Sequence, residues 1–407
     1  MVSRRKNLGK NIVRRGKAGA ILTFPHGIRL LIPMPRQRTC AMFGKARSIF
    51  AAVILLACPA SGEWLPALPG WDFQFPRDHG SHPGFKTEWW YFTGNLRAEN
   101  GQEFGYQLTF FRQGICEPGS PASASRFVVD DVKFAHFAVT EISGGRFHHS
   151  QKFSRGAFGE AGFGGGNRTA WIQDWTCGRT GTNDFHLKAD DGEVSLDLIL
   201  AAAKLPVIHG WNGVSQKAEG PGRASHYYSL TRLTTEGSIT VRGKSLNVSG
   251  TSWFDHEWAT NQLGTDQKGW DWFSLHFDDG TELMLFQIRT DGKNRDPHSS
   301  GTFVFEDGSD LKIGDAGFEL EPVAWWRSEE TGAQYPLEWR LSVRALELDV
   351  TIKARLKNQE LTEKPFAYWE GAIEADGTRK GKPLRARGYL EMTGYAGKII
   401  GLQAPAN

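Results

Sequence analysis

Apolar and polar residues alternate through much of the chain. Val194-Ser195-Leu196-Asp197-Leu198-Ile199-Leu200 approximates a period of two, and so does Leu346-Glu347-Leu348-Asp349-Val350-Thr351-Ile352. That period suits a strand with one buried face, because successive side chains point to opposite sides of a sheet. Turn signals interrupt the pattern at short intervals: Glu99-Asn100-Gly101, Asp190-Asp191-Gly192, Asp278-Asp279-Gly280, Glu306-Asp307-Gly308 and Asp376-Gly377. Asn-Gly and Asp-Gly supply the positive φ of tight hairpins, and many short strands joined this way indicate barrels or sandwiches. No long amphipathic helical pattern competes. The expected class is all-β, with antiparallel strands.

A weak internal repeat divides these strands into two sets. Glu88-Trp89-Trp90-Tyr91-Phe92 leads through Asn100-Gly101 to Phe110-Phe111-Arg112, and Trp270-Asp271-Trp272-Phe273 leads through Asp279-Gly280 to Gln287-Ile288-Arg289. Each reads as an aromatic strand, a glycine turn and a return strand ending in Arg. The two turns lie about one domain length apart. The expected organisation is a leader over 1–62, one β domain over 63–235 and a second over 236–407.

Charge separates the leader from the rest. Residues 1–62 hold 12 of the 48 Lys and Arg and none of the 45 acids, which leaves the remainder at −9. So acidic a body gives no support to nucleic-acid binding. The leader ends in a short apolar run, Ile49 to Cys58, too short to span a bilayer but suited to a signal-peptide core. Leu55-Leu56-Ala57-Cys58 is similar to a bacterial lipobox, in which Cys58 would carry the membrane anchor; ordinary cleavage near Ala60 to Gly62 is the other reading. Met34 or Met42 are alternative starts. The expected location is periplasmic or secreted. Past the leader, Cys116 and Cys177 could form one disulfide, and no Cys/His spacing suggests a metal.

The candidate chemistry concentrates in Trp253-Phe254-Asp255-His256-Glu257-Trp258 and Gly269-Trp270-Asp271-Trp272-Phe273. A carboxylate beside indole loses hydration, which raises its pKa and lets it hold a proton near neutral pH. If the first segment is a strand, Asp255 and Glu257 face one way and His256 the other; a bulge would let all three converge, and a structural salt-bridge cluster is the competing role. His256-Glu257 is not a His-Glu-x-x-His zinc motif, since Thr260 stands where the second His would be. Glu88 beside Trp89, Trp90 and Tyr91 is the N-terminal counterpart. The loop Phe75-Pro76-Arg77-Asp78-His79-Gly80-Ser81-His82-Pro83 either lines a barrel mouth or only fixes the entry of the chain. His136 and His226 each sit among apolar strand residues, where a satisfied core group is more usual than a functional one. There is no Gly-x-Ser-x-Gly elbow, and Gly162-Phe163-Gly164-Gly165-Gly166 lacks the Lys of a phosphate loop.

Seven segments occur in an order that resembles the AttH and carotenoid 1,2-hydratase family of lipocalin-like secreted proteins. They are Phe75–Gly80, Thr87–Tyr91, His226–Ser229, Asp255–Trp258, Gly269–Trp272, Tyr368–Gly371 and Gly388–Tyr395, spanning about Trp71 to Tyr395. The resemblance implies two lipocalin-like β-barrel domains packed together. Its hydratase branch protonates an alkene and captures the cation with water, and His256 and Trp258 match the His and Trp of that branch. Trp270-Asp271-Trp272 places the acid one position off its aromatic-x-Asp pattern. On this basis Asp271 or Asp255 is expected as the acid and His256 as its partner or the water activator, with Glu257 also counted among the catalytic residues. Glu88, Trp89, Trp90, Tyr91, Trp258, Trp270, Trp272, His226 and Tyr228 are expected around an apolar or lipid-like ligand, with no cofactor. The resemblance also leaves a hydrolase of the AttH branch open. The alternative is a non-catalytic periplasmic lipid carrier serving an ABC transporter.

Overall fold

The computed structural model describes residues 62–119, 129–291, 295–365 and 367–397, together with three short antiparallel strands in a separate unit over Met1–Leu55. The run from Ile49 to Cys58, with its lipobox cysteine, lies outside the described residues. The body is all-β and consists of two antiparallel sheets, one a nearly closed barrel and the other a half-barrel.

The first sheet runs from β1 (Thr87–Ala98) and β2 (Glu103–Gly114) through β3 (Asp131–Glu141) and β4 (Arg146–Ser154) to five strands, β5 to β9, between Ala161 and Ala202. It closes with two long strands, β10 (Ala224–Val241) and β11 (Lys244–Ala259). The second sheet holds β12 (Gln267–Phe277), β13 (Glu282–Thr290), β14 (Ser300–Val304), β15 (Asp310–Ile313), β16 (Glu319–Arg327), β17 (Gln334–Val343), β18 (Leu348–Ala354), β19 (Tyr368–Arg379) and β20 (Lys382–Met392). In both sheets the first long strand pairs with the last, β1 with β11 and β12 with β20. The sequence repeat thus corresponds to the opening hairpin of each sheet.

The boundary expected at 235/236 is wrong. It cuts through β10, and β11, which carries Trp253–Trp258, belongs to the first sheet; the chain passes between sheets at 260–266. The expected boundary places Trp253–Trp258 in the second domain, but twelve consecutive residues of β11 pair with β1. The Cys116–Cys177 bridge is also not formed: Cys177 is a free, fully buried thiol in the barrel core.

Three apolar clusters hold the body together. Trp90, Phe92, Leu108, Phe137, Leu198, Phe254 and Trp258 pack inside the barrel, and Phe273, Leu285, Trp339, Ile352 and Leu390 inside the half-barrel. The third lies between the sheets and includes Tyr91, Tyr227, Trp253, Trp272, Phe286 and Tyr389. Strands meeting two clusters are buried on both faces, which turns alternation into a near-continuous apolar run such as Trp89-Trp90-Tyr91-Phe92. The sheets approach closely: a Cβ on Gly105 would lie 2.8 Å from that of Ala372, and Asn95 Nδ2 donates to the Gly388 carbonyl at 3.0 Å.

Candidate active site

The strand register sets the site. Asp255 pairs with Tyr91 and Ser229, and Glu257 with Trp89 and Tyr227, so these six side chains share the outer face of the barrel. Across from them, Phe286, Trp272, Glu391 and Glu370 occupy one row over four strands of the second sheet. Between the two faces lies a cavity of about 200 Å³, walled by Trp89, Tyr91, Tyr227, Trp270, Trp272 and Phe286, with Asp255, Glu257, Lys217 and Glu391 as polar groups. Lys217 lies 3.2 Å from Glu257 and 4.0 Å over the Phe286 ring, so its charge is already engaged.

Two acids of this cavity, Asp255 and Glu391, resist ionisation. Asp255 is 4 % exposed, and burial pushes its pKa up to about 7, even though Ser229, Tyr227 and Trp253 all donate to it. The Tyr227 hydroxyl donates at 2.7 Å, accepts from Trp272 Nε1 at 2.9 Å, and so links the two sheets. Glu391 forms part of the opposite wall. Its pKa is pushed up to about 8 by burial and by the charges of Asp255 and Glu257, against the pull of a 3.3 Å bond from Trp270 Nε1. No arginine or lysine pairs with Asp255 or Glu391 among the described residues. These are protonatable groups whose pKa values a buried, aromatic setting brings near neutral pH.

The same two strands build a different cluster on the barrel's inner face. His256 turns inward, where Nε2 lies 3.0 Å from Glu88 and Nδ1 lies 2.9 Å from the Asp78 carbonyl oxygen. Glu88 also meets His82 Nδ1 at 2.7 Å and accepts from Arg112 Nε at 3.1 Å. Asp78 is held by Arg77 Nε at 2.7 Å and by the Gln74 backbone N–H at 2.8 Å. Burial would raise both acids, but His82, His256 and Arg112 around Glu88, and His82 and Arg77 around Asp78, hold them well below the usual carboxylate range. Burial lowers the pKa of His256, and of His79 and His226 to about 4. Donor atoms of His82, Glu88 and His256 lie within 4.8 Å of one another, the spacing of a metal site. Their lone pairs and protons are already committed to each other, and the Arg112 guanidinium supplies the positive charge a cation would bring.

The expected residues therefore divide. Asp255, Glu257, Trp89, Tyr91, Trp270 and Trp272 line the cavity, and Glu88 reaches its end while bonding inward. His256, Trp258, Trp90, His226 and Tyr228 do not line it; they pack inside the barrel, where Trp258 stacks on His82 at 3.7 Å. The strand alternative holds, and two-residue periodicity separates His256 from its neighbouring acids. Asp271 also lies outside the cavity. It shares the phase of Phe273 and Leu275, facing the half-barrel core, and meets Arg289 Nε at 3.2 Å and Gln287 Nε2 at 2.8 Å. Arg112 with Glu88 and Arg289 with Asp271 thus form one repeated clamp, a first-strand acid held by a second-strand arginine. Sequence reasoning missed Glu391, Glu370, Lys217 and Tyr227 as chemical groups. The available signal was an acid in phase with aromatic residues, as in Tyr389-Leu390-Glu391.

The profile of the AttH-like family matches residues 66–395. The chain belongs to the AttH-like family. A protein of Nitrosomonas europaea described as an AttH is 33% identical, with a TM-score of 0.73, covering 81% of this AttH-like chain and 99% of that one. Kievitone hydratase from Nectria haematococca shares the fold at 16% identity and a TM-score of 0.64, covering 83% of this chain and 97% of that one. The dehydratase asqC of Emericella nidulans is 23% identical over 223 residues, 51% of this chain. The match spans 60% of that relative's length.

Proposed function

We propose that the protein is a hydro-lyase that adds or removes water across a carbon–carbon double bond of an apolar substrate held between the sheets. The observation that carries this reading is the pair of protonatable carboxyls, Asp255 and Glu391, on facing walls of an aromatic cavity. The hydratase and dehydratase named among the relatives agree with it. In the dehydration direction, Glu391 gives its proton to the departing hydroxyl and the C–O bond breaks. Asp255, as carboxylate, takes the proton from the adjacent carbon, and water leaves; hydration is the reverse. Trp89, Trp270 and Trp272 line the cavity, and an indole face turned to positive charge developing on carbon is worth about 0.5–2 kcal/mol. General acid and base action of this kind contributes about 10²–10⁴-fold.

The test is oxygen-18 exchange from labelled water into the hydroxyl of β-hydroxy ketones and tertiary allylic alcohols. Asp255→Asn and Glu391→Gln should each lower exchange by about 10²–10⁴-fold. Asp271→Asn, outside the cavity, should retain most of it. Because Asp255 must be ionised and Glu391 protonated, the rate should follow a narrow bell with limbs near pH 7 and 8. Undiminished exchange in the Asn and Gln variants would remove both acids from the mechanism. Tight binding of such compounds without exchange in the unmodified protein would instead favour a carrier.

A further inference from the structure

Behind Glu391 stands a second acid to which the reaction above gives no role. Glu370 on β19 is the direct cross-strand partner of Glu391 on β20, so both side chains leave the same face of the sheet. Directly opposed side chains of an antiparallel pair have Cβ atoms about 4.5–5.5 Å apart, within reach for two carboxyls. Glu370 is fully buried. Its Oε1 accepts the Tyr91 hydroxyl at 2.5 Å, while Oε2 has no hydrogen-bond partner. Glu370 does not line the cavity, but the Tyr91 ring does.

We propose that Glu370 is a positioning residue that shares a proton with Glu391, making the second sheet's wall a carboxylic-acid dyad. The use of the dyad in catalysis rests on the hydro-lyase reading; its existence does not.

The groups facing the pair leave little alternative. From the first sheet come Tyr91, Asp255 and Glu257, and from the second sheet Tyr389, Tyr368 and Trp270. None brings a positive charge, and the nearby Lys217 is paired with Glu257. Two ionised carboxylates at opposed positions in such surroundings repel each other with little screening, so at least one keeps its proton. Burial first, and the Glu391 charge second, hold Glu370 well above the ordinary carboxylate range. When Glu391 gives its proton to the leaving hydroxyl, the one proton left on Glu370 bridges the two carboxyls. The proton taken from carbon is then on Asp255, so the charge of the site is unchanged through the step. A purely structural Glu370 would do no more than anchor Tyr91, which a glutamine would do equally well.

The test reads carboxyl carbon-13 resonances of the full chain labelled at glutamate Cδ, from pH 5 to 10, without substrate. Glu370→Gln and Glu391→Gln assign the two signals, and Tyr91→Phe assigns Glu370 independently if either variant fails to fold. In the unmodified protein, the Glu370 and Glu391 resonances should move together through the step near pH 8, each by part of a full ionisation shift. In Glu391→Gln the Glu370 step should fall by at least one pH unit. A Glu370 resonance that stays still while Glu391 shows the full shift of a lone carboxyl overturns the dyad. Coupled titration without oxygen-18 exchange would leave the dyad standing and remove only the hydro-lyase reading.

Discussion

Strands β1 and β11 carry acids on both faces, and the two faces treat them in opposite ways. Inward, Glu88 meets Arg112, His82 and His256, and its charge is held in place. Outward, Asp255 has hydroxyl and indole donors but no cation, and burial wins. The residue types and the depth are alike; the partners differ. Glu88, given a guanidinium and two imidazoles, keeps its charge, whereas Asp255, given only neutral donors, holds its proton up to about pH 7. One cation is not always enough, since burial still raises the pKa of Asp271 beside Arg289. Burial alone would therefore not have told the site from the scaffold.

The largest effect should come from breaking the inner network. Glu88→Ala leaves Arg112 and the imidazoles without their counter-charge, and removal of one partner from a buried ion pair costs about 3–5 kcal/mol. Asp255→Asn, which removes no counter-charge, should be close to neutral or stabilising at pH 8. Urea unfolding of the two variants decides this. Equal destabilisation would mean that the outer acid is as much part of the scaffold as the inner one.

The pH dependence of stability sharpens the same contrast. Asp255 and Glu391 have folded pKa values raised above the usual carboxylate range, so the stability they contribute is fully present below pH ~4. It is lost as the pH rises toward 7 and 8. Asp78 and Glu88 are depressed, so theirs is present above pH ~4 and lost as the medium becomes more acid. An Asp255→Asn, Glu391→Gln double variant should therefore gain stability relative to the unmodified protein between pH 5 and 8. The gain should grow with pH across that range, with no protection against acid unfolding. Denaturant midpoints across that range check it, and a gain independent of pH would contradict the raised values.

Much of this contrast is legible in the sequence, because it rests on period. The alternation in Val194–Leu200, the glycine turns and the repeated hairpin are local features, and the fold follows them. So does the separation of Asp255 and Glu257 from His256. What local pattern cannot give is pairing. The assignment of β11 to the first sheet depends on its register with β1, more than 150 positions earlier. Glu391 and Glu370 become a candidate pair only through the register of β19 with β20 and the packing of one sheet on the other. Asp271 was misplaced for a related reason: its neighbours Trp270 and Trp272 do line the cavity, and the strand phase turns the residue between them away.

The smallest effect probes how the two sheets share the outer acid. Trp272 Nε1 donates to Tyr227, whose hydroxyl donates in turn to Asp255, so a residue of the second sheet polarises a bond made within the first. Donors arranged in series strengthen one another by ~10–30% per bond. Trp272→Phe keeps an aromatic wall but removes the indole N–H, at a cost of about 0.5–1.5 kcal/mol in unfolding free energy. It should also weaken the Tyr227 bond to the Asp255 carboxylate and raise the Asp255 titration step further. A carbon-13 titration of aspartate carboxyls reads that displacement directly. If the step stays in place while stability falls, the link between sheets is mechanical only, and the acid is set wholly by the barrel that carries it.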